Sequence, residues 1–259
     1  MQHHTAARWL TTAILGVITV IQVPAHLAAQ PPQGFAGEAT RYMALGDSLA
    51  AGFKAQPVTQ GYAYLLYQSG VFDRVPQTLF NNAAVVGATS EDVLLHQVSQ
   101  ALIPAAEGGF RAGFVTISVG GNDLAAVLRF AATNPTPLEL QTFAGQALTG
   151  YAQNVTAILQ QLSAGLPGVR IFVANQYAVP EIEMAFPGGD LLLDAFNTTL
   201  AGVLAGFPNA HLVDVHGAFL DRHGLLLIER RGAGAFEVHL TNAGHRVMAQ
   251  AFSEAITGS

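Results

Sequence analysis

The chain of 259 residues contains no cysteine and a single lysine, Lys54. Charged residues make up 11% of it, less than half the usual quarter. Each scarcity excludes something. Without cysteine there is no disulfide framework, no thiolate metal site, no cysteine nucleophile and no cysteine to carry a lipid. Eleven lysines and arginines stand against 17 aspartates and glutamates, a formal net charge of -6. No basic patch is available for a phosphate backbone, so no nucleic-acid partner is expected. Hydrophobic residues are 51% of the chain, too many for intrinsic disorder. The length suits one domain with a large core.

Residues 1–29 read as an export signal. Arg8 is their only formal charge, Trp9 to Val23 is apolar or hydroxylic, and Pro24 ends the run. Small residues then offer a cleavage site near Ala28 or Ala29. The run of about 15 residues falls short of the ~20 that a bilayer span needs, so no stable membrane span is expected after cleavage. The alternative is an uncleaved anchor, since Leu27 stands where a small residue is preferred. Residues 30–40 form a Pro/Gly-rich linker, and residues 41–259 the folded domain. Export without cysteine points to a secreted or extracytoplasmic bacterial protein, expected to be a monomer.

Beyond the linker, short apolar runs alternate with longer amphipathic ones. Strands are expected at Tyr42–Leu45, Thr78–Ala83, Gly113–Val119, Val169–Asn175 and Ala210–Val215. Helices are expected at Tyr62–Ser69, Leu138–Leu162 and Leu191–Leu204, and at Thr241–Ile256 with Thr241 as N-cap. A further helix over Glu91–Leu102 has Ser90 as its cap and Val93, Leu94, Gln97, Val98 and Leu102 in helical period. Strand–helix alternation of this kind implies α/β architecture, with parallel strands covered on both faces. In such sheets ligands bind beyond the carboxyl ends of the strands.

Four residues fall at expected loop positions that a parallel sheet would gather at one edge: after the first three strands, Ser48 in Gly46-Asp47-Ser48-Leu49, Gly87, and Asn122 in Gly120-Gly121-Asn122-Asp123, and near the C-terminus His239. Each has a chemical use. A serine hydroxyl becomes a nucleophile when a base takes its proton, and histidine is suited to that near neutral pH. The carbonyl oxygen under attack gains negative charge, which the Ser48 N–H, the Gly87 N–H and the Asn122 amide could hold. Taken singly, each has a bland reading. Gly-Asp-Ser and Gly-Gly-Asn-Asp are ordinary turns, and a lone histidine is usually structural. Asp47 and Asp123 read as a turn-stabilising residue and a cap for the helix after the third strand. The order and placement of all four together is the specific signal.

That combination resembles the GDSL/SGNH hydrolases. Ala44–Gly52 (ALGDSLAAG) is similar to the family's first block, with Ser48 at the nucleophile; Asn81–Ser90 (NNAAVVGATS) to the second, with Gly87 at the oxyanion glycine. Ser118–Leu124 (SVGGNDL) is similar to the third, with Asn122 at the oxyanion asparagine, and His239–His245 (HLTNAGH) to the last, with His239 at the general base and Gly244-His245 at a structural position. The resemblance runs from about Tyr42 to Ile256. It implies a three-layer α/β/α sandwich with a central parallel sheet, flavodoxin-like, and serine ester hydrolysis of a small-molecule or lipid ester with neither metal nor organic cofactor.

One departure matters. The family carries an aspartate three residues before the catalytic histidine to orient the imidazole, and here that position is Phe236. Glu237 could serve through a local bulge, a backbone carbonyl or distant carboxylate could hold the ring, or the enzyme is weakened. The last option motivates a rival reading as a binding protein on a degenerate hydrolase fold. A carbohydrate deacetylase of the same fold is a second rival. Phe130, Leu138, Phe143, Met184 and Phe186 suggest an apolar pocket wall and favour a lipid or simple acyl ester. A metal protein built on His211, His216 and His223 lacks any ligand-like spacing, and the Gly-x-Ser-x-Gly elbow of α/β-hydrolases is missing, Ala50 standing at its last glycine.

Overall fold

Side chains along a strand alternate between two faces, and here both faces are buried. In β1 (Thr40–Gly46), Met43 and Leu45 join one apolar cluster while Tyr42 and Ala44 join another. The same split recurs in β3 (Arg111–Ser118) and β4 (Arg170–Ala174). Val115, Ile117, Ile171 and Val173 face the first cluster, Phe172 and Ala174 the second. Two-sided burial is why these strands read as continuous apolar runs.

The computed structural model describes residues 40–72, 78–104, 110–220, 225–230 and 236–258. Residues 1–39, on which the expected export signal and most of the expected linker of residues 30–40 fall, and His223 lie outside the described residues. With β2 (Leu79–Asn82) and β5 (Ala210–Val213), the strands form a parallel sheet in the order β2-β1-β3-β4-β5. One face is covered by α2 (Ser90–Asp92), a π turn (Val93–Gln97) and α3 (Val98–Leu102), which run end to end, and by α4 (Gly121–Ala131), α5 (Pro137–Gly165) and α7 (Gly189–Leu204). The other face is covered by α1 (Tyr62–Gln68), α8 (Val215–Phe219) and α9 (Asn242–Gly258). The short α6 (Pro180–Ala185) follows β4. The three-layer parallel α/β/α architecture expected from the sequence is the one found.

Three local differences have physical causes. The N-cap of α2 is Thr89, not Ser90. Thr89 Oγ1 accepts from the Asp92 N–H at 3.3 Å, and Asp92 Oδ2 accepts from the Thr89 N–H at 2.9 Å. That capping box needs an acid three residues on, which Thr89 has and Ser90, followed by Val93, lacks. Strand β5 stops at Val213 because Asp214 turns to cap α8, accepting from the Gly217 N–H at 2.9 Å. An antiparallel hairpin, β6 (Leu226–Arg230) with β7 (Phe236–Leu240), was not expected. Thr241 does cap α9, its hydroxyl accepting from the Gly244 N–H at 3.1 Å. Among the described residues no helix is long and apolar enough to cross a membrane, and no three His, Asp or Glu side chains gather where they could hold a metal.

Candidate active site

Ser48 stands just past the carboxyl end of β1 and His239 in β7, 191 residues later. The fold brings His239 Nε2 to 2.9 Å from Ser48 Oγ, within hydrogen-bond reach for proton transfer. The serine is held by its turn. Asp47 N–H donates to the Ser118 carbonyl at 2.9 Å, tying the turn to β3. Asp47 Oδ1 accepts from the Leu49 N–H at 3.0 Å and from Ser118 Oγ at 3.3 Å. Asn82, at the end of β2, donates to the Ala50 carbonyl at 2.7 Å. Gly46 has φ +130°, and a Cβ there would strike the Ser118 carbonyl oxygen, so only glycine lets the strand enter this turn.

Gly87 occupies the third position of the turn Val85–Ala88, closed by Ala88 N–H to the Val85 carbonyl at 3.1 Å. Its φ of +85° is what a type II turn asks of that position. The direction a Cβ would take there opens onto unoccupied space, leaving its backbone approachable. Asn122 is the second residue of α4, and its Nδ2 donates to the Ala88 carbonyl at 2.9 Å. A primary amide has two N–H donors, so this bond spends one and fixes the direction of the other. Beside it, Asp123 accepts from the Ser90 N–H at 3.0 Å and the Ser90 hydroxyl at 2.6 Å. Asp123 was expected to cap its own helix. Instead it holds the start of α2, because α4 begins without a side-chain cap and Ser90 lies within reach. Two loops that carry possible oxyanion donors are thereby tied to each other.

His239 also meets Phe53, ring centroids 4.7 Å apart and planes at 70°. Phe53 in turn is fixed by the histidine of the structural position. His245 is buried; its Nδ1 accepts from the Tyr62 N–H at 3.3 Å and its Nε2 faces the Phe53 carbonyl at 3.5 Å. Strand β7 pairs with β6 position by position, Glu237 opposite Glu229 and His239 opposite Leu227, without a bulge. A bulge as Glu237's route to the imidazole is therefore absent. The side chains of Phe236 and Glu237 themselves lie outside the described residues.

Of the expected pocket wall, Phe130 and Phe143 stack at 4.4 Å. Leu138 and Met184 are exposed. Phe186 lines a small apolar crevice with Val127, Leu128, Leu140 and Leu192. His211 stacks on Phe172 and His216 faces the Gln176 carbonyl at 3.2 Å, each serving the fold. Gln97, Asn82 and Phe53 have contacts at the site that the sequence reading did not assign. A polar residue on an otherwise apolar helix face was the available signal for Gln97.

Two buried groups pull stability in opposite directions with pH. Burial lowers the His245 pKa from 6.5 to about 4. Between those values the unfolded chain binds more protons, so this group makes stability rise with pH and is fully favourable only above 6.5. Burial raises the Asp47 carboxyl from 3.8 to about 7. Across that interval the native state binds more protons, so this group makes stability fall as pH rises and is fully favourable only below 3.8. Each corresponds to roughly 3–4 kcal/mol over its full window. Asp47→Asn removes the second slope. Its stability, from urea titrations between pH 4 and 7, should rise relative to the parent as pH increases; parallel curves would show that Asp47 titrates as it does in the unfolded chain.

A model of the GDSL-like Lipase/Acylhydrolase family matches residues 44–247. No curated protein matches by sequence. Among solved structures, the chain is similar to the lipase Lip_vut3 from a goat rumen metagenome at 20% identity, covering 84% of this chain and 97% of that one with a TM-score of 0.67. It is similar to phospholipase A1 from Streptomyces albidoflavus NA297 at 19% identity, over 84% and 99% of the two chains, TM-score 0.61. An acetyl-xylooligosaccharide esterase from Geobacillus aligns at 18% identity, over 85% and 95%, TM-score 0.60. At these identities the likeness is one of fold. The family match spans from the strand before Ser48 into the helix after His239, and with it the chain belongs to the GDSL-like Lipase/Acylhydrolase family.

Proposed function

We propose that the protein is an exported bacterial serine ester hydrolase that cleaves carboxylic acyl esters through an acyl-enzyme on Ser48. The observation that carries this reading is the 2.9 Å approach of His239 Nε2 to Ser48 Oγ. For His239 to act as base, Nε2 must be the unprotonated nitrogen, with the ring proton on Nδ1. Ser48 Oγ adds to the ester carbonyl as Nε2 takes its proton. The tetrahedral oxyanion sits against the Ser48 and Gly87 N–H groups and the remaining Asn122 donor. The intermediate collapses, the C–O bond to the alcohol breaks, and the imidazolium returns the proton to the leaving oxygen. Water, deprotonated by the same nitrogen, then adds to the acyl-enzyme carbonyl; the bond from that carbon to Ser48 Oγ breaks, the imidazolium returns its proton to Oγ, and the acid leaves.

The apolar residues beyond the carboxyl ends of β3 and β4, Met184 and Leu138 exposed and Phe186 in the crevice, support a simple acyl or lipid ester ahead of an acetylated sugar. A profile over p-nitrophenyl esters from acetate to dodecanoate, with acetylated xylan beside it, tests this. Highest kcat/KM on a p-nitrophenyl ester and little acetate release from xylan is expected. Preference for the xylan would overturn the substrate reading and favour the deacetylase. Export is supported by the charge-poor apolar run after Arg8, and N-terminal sequencing of the exported protein should begin after Ala28 or Ala29.

A further inference from the structure

Gln97 is a glutamine on the buried face of the helical run Ser90–Leu102, whose other buried members are Ser90, Val93, Val98 and Ala101. It is 1% exposed and closes the π turn, in which Val98 N–H donates back to the Val93 carbonyl. Such wide turns inside helices gather at functional sites. A buried primary amide is costly unless its donors and acceptor are used. Gln97 spends both ends on one residue 51 positions away: its Oε1 accepts from the Gly46 N–H at 2.7 Å, and its Nε2 donates to the Gly46 carbonyl at 2.8 Å.

Gly46 is the last residue of β1 and the second before Ser48. On the β3 side it stands opposite Ser118. On the other side β2 has already ended at Asn82, with Asn82 paired to Ala44. There the Gln97 amide stands in for a strand, offering the acceptor and donor that a neighbouring peptide would offer. The same Gly46 carbonyl also accepts from the Val85 N–H at 3.0 Å, the first residue of the turn that carries Gly87. One side chain therefore braces the backbone from which both the nucleophile turn and the Gly87 turn depart.

We infer that Gln97 is a positioning residue for acyl transfer, setting through Gly46 the placement of Ser48 relative to the Gly87 donor. It touches no reacting atom. This role rests on the reading of Ser48 as the nucleophile, and it goes beyond the four family blocks, none of which contains residue 97. A methionine at this position keeps the length and loses both hydrogen bonds. The turn can then shift by a fraction of an ångström, and displacement of about 1 Å in a reacting geometry costs on the order of 100-fold.

The test compares Gln97→Met with the parent well below the melting temperature, with kcat expressed per site titrated by a fluorophosphonate, and with amide exchange at Gly46 followed by NMR. Expected are a fall in kcat of about 10- to 100-fold, KM within about twofold, and Gly46 exchange faster than at its neighbours in β1. A kcat per titrated site within about twofold of the parent overturns the role, even if the melting temperature falls, because Gln97 would then be structural only. A lower kcat with Gly46 exchange unchanged also overturns it, because the loss would not pass through Gly46. Where Gln97→Met does not fold, Gln97→Glu is read by the same criteria. It keeps size and polarity but, as a carboxylate, turns an acceptor toward the Gly46 carbonyl. If neither variant folds, the residue is a folding requirement and the inference fails. The function of Ser48 is checked separately, by the parent's hydrolysis and its loss in Ser48→Ala. An inactive parent would sink that reading, while Gly46 exchange would still report whether Gln97 braces the turn.

Discussion

Ser48→Ala is expected to lower kcat on p-nitrophenyl esters by four or more orders of magnitude and to abolish fluorophosphonate labelling. The chain should fold as before, with the melting temperature within a few degrees of the parent. The Ser48 hydroxyl bonds to His239 Nε2, whereas the turn is held by other groups: the Ser48 carbonyl accepts from the Phe53 N–H at 2.9 Å, and Asp47 and Asn82 make the bonds described above. Removing one oxygen leaves those in place. Residual activity of about 10³- to 10⁴-fold over the water rate is consistent with intact oxyanion donors and substrate binding acting alone. Retained turnover at the parent's level would mean that another nucleophile, or none, is used.

His239→Ala is expected to lose nearly as much, because without a base at Nε2 the Ser48 hydroxyl stays protonated at neutral pH. The informative comparison is with Glu237→Gln. Phe236 stands where the family carries its orienting acid, and the uninterrupted pairing of β7 gives no bulge by which the next residue could take that place. Glu237→Gln should therefore lower kcat far less than His239→Ala does. Equal losses, measured on the same ester at the same pH, would make Glu237 the orienting acid after all. An orienting carboxylate can contribute about 10⁴-fold, so the two outcomes are well separated.

Much of the site was legible because parallel sheets sort their residues. Apolar runs such as Gly113–Val119 could only be buried strands, and whatever follows them lies at one edge. Ser48, Gly87 and Asn122 were readable for that reason; His239 lies within β7 of the separate hairpin and was readable only from its resemblance to the family's last block. Thr241 was readable as a cap from its place before a helical period. The sequence was ambiguous where one side chain had two compatible partners. Ser90 and Thr89 are both good capping residues, and the choice fell to Thr89 because Asp92 can reciprocate. Asp123 sits in the first turn of a helix, where local capping is usual, yet it reaches 33 residues back to Ser90. The β6–β7 hairpin is not legible in the sequence, because no strong turn pair separates its strands.

The sequence by itself determined the fold class, the two-sided burial of the sheet and the residue types at each strand end, because these follow from local periodicity and from where apolar runs stop. The absence of cysteine excluded a thiol nucleophile, and the resemblance of the four blocks to the GDSL/SGNH hydrolases singled out Ser48 and His239. Only the tertiary structure decided distances and pairings across long separations: His239 Nε2 on Ser48 Oγ, Asn122 on Ala88, and Gln97 on Gly46. A helical period shows that Gln97 faces inward, but the partner of a buried amide depends on which strand lies opposite it, and strand order is set by packing of the whole chain. The register of β7 was likewise a tertiary fact, since it is fixed by its pairing with β6.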